Sequence, residues 1–453
     1  MRLRTWILSI LALMTMITGC IQQDEDWASN LLDEELLNRL RSAAPGGNES
    51  FFMLPDGTDL SEIPQDPNNP LTEEKIKLGK LLFHETGLGA NPKNNISRFT
   101  YSCASCHHAA AGFQAGRKQG IGEGGIGFGI RGETRVPNPH YNRSDIDVQP
   151  IRSPSAMNVA FQKVMLWNGQ FGATGVNRGT EAQWLPGTPT EKNSLFFEGI
   201  ETQAIAGLGV HRLEFNEASI IYETNYKELF DKAFPNVPEE ERYTLVNTGL
   251  AIAAYERTLF SNEAPFQKWL RGDRQAMTQE EKRGAILFFG KAKCVSCHTG
   301  PALSSVDTVK FYAIGMRDLS GNDVINVTPD NKEHKGRGGF TQRPEDMYTF
   351  KVPQLYNLKD SPFYGHGGSF FRIQDVVDYK NEAIPENNNV PADQLDPRFV
   401  PLGLDAEEVE DIATFLRNGL YDPHLDRYAP ASVLSNLCFP NNDMQSRRDL
   451  GCN

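Results

Sequence analysis

The sequence has no basic surplus. Lys and Arg number 45 against 58 Asp and Glu, a formal net charge of -13 over 453 residues. That balance excludes a nucleic-acid partner held by phosphate contacts, and it suits an acidic surface steering a small basic protein. Strand signals are sparse along the whole chain, so the fold expected is mainly α with long loops. The leading apolar run, Trp6 to Met14, is too short to span a bilayer. Histidine is scarce, with nine in all, and the stretch Gly112 to Thr134 contains none. That same stretch is crowded with glycine, but no strand precedes it, so a phosphate-binding loop is a poor reading.

What the N-terminus does contain is a basic start, Arg2 and Arg4, a short apolar core and the close Ile17-Thr18-Gly19-Cys20. Residues 1–20 therefore read as a secretion signal. A cysteine directly after small residues is similar to a bacterial lipobox, in which Cys20 becomes a lipidated N-terminus holding the protein to a membrane surface. The plainer alternative is a signal peptide cleaved nearby. Seven cysteines then divide cleanly. Cys20 takes lipid, four lie in a repeated motif, and Cys438 and Cys452 remain in the polar tail, where an oxidising exterior favours a disulfide over two idle thiols.

The repeated motif is Cys-X-X-Cys-His: Cys103-Ala104-Ser105-Cys106-His107 and Cys294-Val295-Ser296-Cys297-His298. One copy would suit a thiol redox pair or half a zinc site. Two copies, each ending in His, in a chain that looks exported, point to two covalently bound c-type haems, with His107 and His298 as axial ligands. Each motif follows the same unit. Thr72-Glu73-Glu74-Lys75 leads through Gly79 to Leu81-Leu82-Phe83, and Thr278-Gln279-Glu280-Glu281-Lys282 leads through Gly284 to Ile286-Leu287-Phe288. Both have a capping Thr, early acids and apolar residues at helical spacing, so two cytochrome-c-like haem domains are expected. A closing helix begins at Asp405, with Ala406, Val409, Ile412, Ala413 and Leu416 as its apolar stripe and Gly419 as its stop. The expected division is a signal at 1–20, a tether and approach segment at 21–70, haem domains at 71–276 and 277–425, and a tail at 426–453.

From about Leu71 to Leu420 the chain resembles the bacterial dihaem cytochrome c peroxidase and MauG family. The resemblance rests on ordered blocks: Leu78-Gly79-Lys80-Leu81-Leu82-Phe83, Arg152-Ser153-Pro154-Ser155-Ala156-Met157-Asn158, Leu166-Trp167-Asn168-Gly169, Gln203-Ala204, Leu213-Glu214-Phe215, Phe350 to Asn357, and Tyr364-Gly365-His366-Gly367-Gly368. It implies that the N-terminal haem meets hydrogen peroxide and the C-terminal haem receives electrons. Trp167 matches the tryptophan between the haems, where a polarisable indole can pass an electron or a hole. Glu214 matches the distal acid, with His211 as a competing base and Gln203 as the partner that positions water or peroxide.

Three departures stand out. The loop after the first motif lacks the histidine that blocks the iron in many members, which is closer to MauG. Fourteen residues after His366, where members place a Met or Tyr, stands Lys380, on the apolar face of a helix with Ile373, Val376 and Val377. A neutral amine can bind iron, while a lysine snorkelling to water is the bland alternative. Tyr379 and Met316 are the other candidates for this sixth ligand. Arg152 stands where the resemblance places a calcium ligand, which counts against calcium unless Asp360 compensates. The leading expectation is a membrane-tethered, periplasmic dihaem peroxidase fed by a small electron-donor protein. The rivals are a MauG-like oxidase of a partner protein and a non-enzymatic dihaem electron carrier.

Overall fold

The computed structural model describes residues 29–452 apart from residue 218 and residues 306–309. The expected signal and Cys20 lie outside the described residues. Each repeat unit forms the helix its pattern predicts. In the first, the Thr72 hydroxyl accepts from the Lys75 amide at 3.2 Å and opens helix Glu73–His84. In the second, Thr278 and Glu281 cap one another reciprocally and open helix Gln279–Phe289.

The glycine shared by the two units has a packing reason. Helix Glu73–His84 crosses helix Leu245–Glu256 so closely that a Cβ on Gly79 would lie 1.8 Å from the Ala251 carbonyl oxygen. Helix Gln279–Phe289 meets helix Ala406–Thr414 in the same way, with 2.0 Å from a Gly284 Cβ to the Asp411 carbonyl oxygen. Only a residue without a side chain permits either crossing. A third crossing sets Gly249 against Ile205 of helix Gly199–Val210.

Two main apolar cores result. Leu78, Leu82, Phe83, Ile200, Ile205 and Ile252 belong to the first, and Phe266, Trp269, Phe288, Phe289, Ile412 and Phe415 to the second. The few strands are two-residue antiparallel ribbons, Gly125–Ile126 with Val136–Pro137 and Phe311–Tyr312 with Phe350–Lys351.

Three expectations are corrected. The segment read as a tether instead carries a helix over residues 29–43, and Leu36, Leu40 and Phe52 fill the second core. Asp33 there accepts from the Trp269 indole at 2.7 Å and pairs with the buried Lys282 ammonium. The closing helix leaves Ala406 exposed and passes into a π turn, Phe415–Gly419, which adds Phe415 to the core. The tail is closed by the expected Cys438–Cys452 disulfide, but it is also docked on the first haem unit. Ser102 and Ser105 donate to the Pro440 carbonyl, Asn442 bonds Thr100, and Arg135 pairs with Asp443.

Candidate functional site: two cavities with a common wall

Each Cys-X-X-Cys-His string opens on a short 3-10 turn, Cys103–Ser105 or Cys294–Ser296, that sets its residues against a cavity. The first cavity, about 440 Å³, is lined by Cys103, Cys106 and His107 together with Phe83, Gln203 and His211. The second, about 240 Å³, is lined by Cys297, His298, Met316, Tyr364 and Lys380. His107 Nδ1 donates to the Phe113 carbonyl at 3.1 Å and His298 Nδ1 to the Leu303 carbonyl at 2.6 Å. That bond fixes the tautomer and leaves Nε2 of each ring as a free donor for a metal. Burial pulls both imidazoles down to about 4, so both are neutral.

The residues fit a c-type haem in each cavity. All four motif thiols are unpaired. Gly120 has no side chain where one would press within 3.0 Å of the Cys106 sulfur. On the first cavity wall Glu256 is buried with Oε2 lacking any protein partner, and burial pushes its carboxyl up to about 8. An orphaned polar atom of this kind belongs beside a ligand or water. Nothing in the sequence pattern singled Glu256 out.

Trp167 and Arg152 each line both cavities. The Trp167 ring meets the His366 ring edge-on at 6.2 Å, and His366 stacks on Phe350 at 3.7 Å, both on the second-cavity side. The Arg152 guanidinium is buried and donates to Arg117 O, Ala115 O, Gln114 Oε1 and Ser361 Oγ, oxygens from both halves of the molecule. Asp360 bonds the neighbouring Asn357 and is not one of these oxygens.

Gln203 lines the first cavity and Glu214 does not. The Glu214 carboxylate is held by the amides of Asn91 and Asn216, and its main chain by Leu88. The competing base, His211, is the group on the wall. Its Nδ1 lies 2.7 Å from Asp147 Oδ2, and Asp147 is itself buried on that wall. Burial pulls the His211 imidazole down, but the Asp147 carboxylate outweighs it and the net shift is upward. Burial likewise raises Asp147, but His211 and Arg212 bring it below the usual carboxylate range. At the second cavity Lys380 is on the wall, and burial pulls its amine down to about 8. Met316 is also there, whereas the Tyr379 hydroxyl is turned away and donates to the Ile314 carbonyl.

Residues 73–275 match the family model for di-haem cytochrome c peroxidase. That match and the curated relatives support a member of the dihaem cytochrome c peroxidase and MauG family. It is 27% identical over 398 residues to the cytochrome-c peroxidase IdrP1 of Denitromonas iodatirespirans, covering 83% of this chain and 88% of that one. It is 28% identical over 364 residues to the methylamine utilization protein MauG of Methylorubrum extorquens, covering 80% of this chain and 82% of that one. A solved MauG-like protein associated with microbial copper homeostasis shares the fold, with a TM-score of 0.54 at 23% identity over 82% of this chain and 95% of that one. Among the described residues no helix is long and apolar enough to cross a membrane.

Proposed function

We propose that the protein is a dihaem peroxidase that reduces hydrogen peroxide to water at the first cavity with electrons delivered through the second. The observation that carries this reading is the common wall: two motif-lined cavities share Trp167, Arg152 and Pro154. Bound haem would supply redox chemistry for O–O cleavage in the first cavity and an electron store in the second. The protein's own residues do the rest. Gln203, whose amide has no protein partner among the described residues, orients the peroxide. In its protonated form His211, oriented by Asp147, gives its proton to the departing peroxide oxygen and takes back the one lost by the other. Two electrons and two protons then convert each peroxide into two waters. Trp167 relays the electrons, and a small periplasmic protein provides them. The protein works at a membrane surface, anchored through Cys20.

Replacing Cys103 and Cys106 together tests the assignment of roles. Covalent haem at Cys294 and Cys297 should persist while peroxide turnover disappears, and turnover that survives loss of the first haem would refute the assignment. A second reading, a MauG-like oxidase of a partner protein, is favoured by Lys380 on the second cavity wall, since a basic amine ligand would lower that haem's potential. Oxidation of a protein substrate by peroxide, with no small donor present, would distinguish it.

A further inference from the structure

Two cations are buried on the second cavity wall without a carboxylate paired to them among the described residues. Lys351 is 9% exposed, and the Gln162 side-chain oxygen is the only hydrogen-bond partner of its ammonium among the described residues. Burial alone pulls the amine down to about 8. Arg152 is 2% exposed, its two terminal nitrogens meet only neutral oxygens, and its Nε has no acceptor among the described residues. Both side chains line the second cavity. An ammonium out of water either gives up its proton or faces an anion. Among the described residues neither is ion-paired with a carboxylate. The group that fits the second cavity brings carboxylates of its own.

We propose that Lys351, with Gln162 beside it, and Arg152 form a buried seat for a propionate carboxylate of the second haem. The proposal rests on the reading of the second cavity as a haem site. It gives the Phe311–Tyr312 and Phe350–Lys351 ribbon a purpose, since that pairing fixes Lys351 on the cavity wall. The seat is also continuous with the relay: the Lys351 amide donates to the Trp167 carbonyl at 2.8 Å, and the Trp167 indole donates to the Arg152 carbonyl at 2.8 Å. A propionate near iron favours the ferric state, and an adjacent ammonium offsets it. Lys351 is therefore a positioning residue that holds the second haem's carboxylate and keeps its potential up.

The test is a potentiometric titration of both haems in the full-length holoprotein. In Lys351→Gln with both haems attached, the second haem's potential should fall while the first is unchanged, and Lys351→Arg should restore it. An unchanged potential in Lys351→Gln, or an equal fall in Lys351→Arg, would overturn the seat. Wild-type protein with one covalent haem instead of two would overturn the reading of the cavity and the seat with it. Should Lys351→Gln fail to accumulate, redox-difference infrared spectra of wild-type protein with carbon-13 propionates decide the matter. An ionised carboxylate that responds to reduction of the second haem is expected, and protonated propionates throughout would overturn the proposal.

Discussion

The indole Nε1 of Trp167 donates to the main-chain carbonyl of Arg152 at 2.8 Å, and the Arg152 amide donates to the His366 carbonyl at 2.9 Å. The indole common to both cavity walls is thus tied to the buried residue that bridges the two halves. Trp167→Phe keeps an aromatic ring but removes this bond, at a cost of about 1 kcal/mol in stability. Peroxide turnover with an external donor should fall while both haems stay attached. Stopped-flow reduction of the first haem through the second checks it, and unaltered transfer would remove Trp167 from the path.

His211 and Glu214 can be separated by mutation. His211→Gln should lower the peroxide rate by about a hundredfold to ten-thousandfold, the span of a lost general acid–base group. Glu214→Gln should leave it within a few-fold of wild type, because that carboxylate is held by Asn91 and Asn216 off the cavity. Steady-state assays at saturating donor compare the two. A larger loss in Glu214→Gln would return the role to the glutamate.

The same pair sets a pH dependence. His211 is raised from 6.5, so its contribution to stability is present below pH 6.5 and is lost as pH rises through the raised value. Asp147 is lowered from 3.8, so its contribution is present above pH 3.8 and lost as pH falls through the lowered value. Asp147→Asn removes the partner, and the alkaline limb of turnover should move toward acid. A pH–rate profile of the variant against wild type reads that displacement.

Lys380 and Tyr379 are neighbours in sequence with opposite surroundings. Lys380→Met should raise the second haem's potential and change its low-spin spectrum, since a thioether favours the ferric state less than an amine does. Tyr379→Phe should change neither, because the hydroxyl is spent on the Ile314 carbonyl. Electron paramagnetic resonance and potentiometry distinguish them. A silent Lys380→Met would leave Met316, which lines the same cavity, as the ligand to examine.

Gly79→Ala and Gly284→Ala should each destabilise their own unit. The added methyl would lie 1.8 Å from Ala251 O or 2.0 Å from Asp411 O, so the helices must part. Overpacking of this kind costs about 1–3 kcal/mol, and more where backbone has to move. Thermal unfolding of the holoprotein followed at each haem's absorption would show which unit loosens first.

What could be read from the sequence was chemistry written in contiguous residues. The two haem strings, the capping threonines Thr72 and Thr278, the apolar face bearing Lys380 and the Cys438–Cys452 pair are all set by local spacing or by covalent reactivity. Tertiary structure alone decided what depends on distant partners. His211 is the cavity group because Asp147, 64 positions away, holds its ring, while Asn91, 123 positions away, draws Glu214 aside. Residues 29–54 read as a tether together with the Pro/Asn-rich run that follows them, yet Leu36, Leu40 and Phe52 find a core supplied by helices more than two hundred residues on. Arg152 looked like a lost metal ligand until Ser361, 209 positions away, and the carbonyls of Ala115 and Arg117 closed around its guanidinium. A short pattern records which atoms can react or turn a helix, whereas the direction of a loop side chain follows from the long-range contacts that remove it from water.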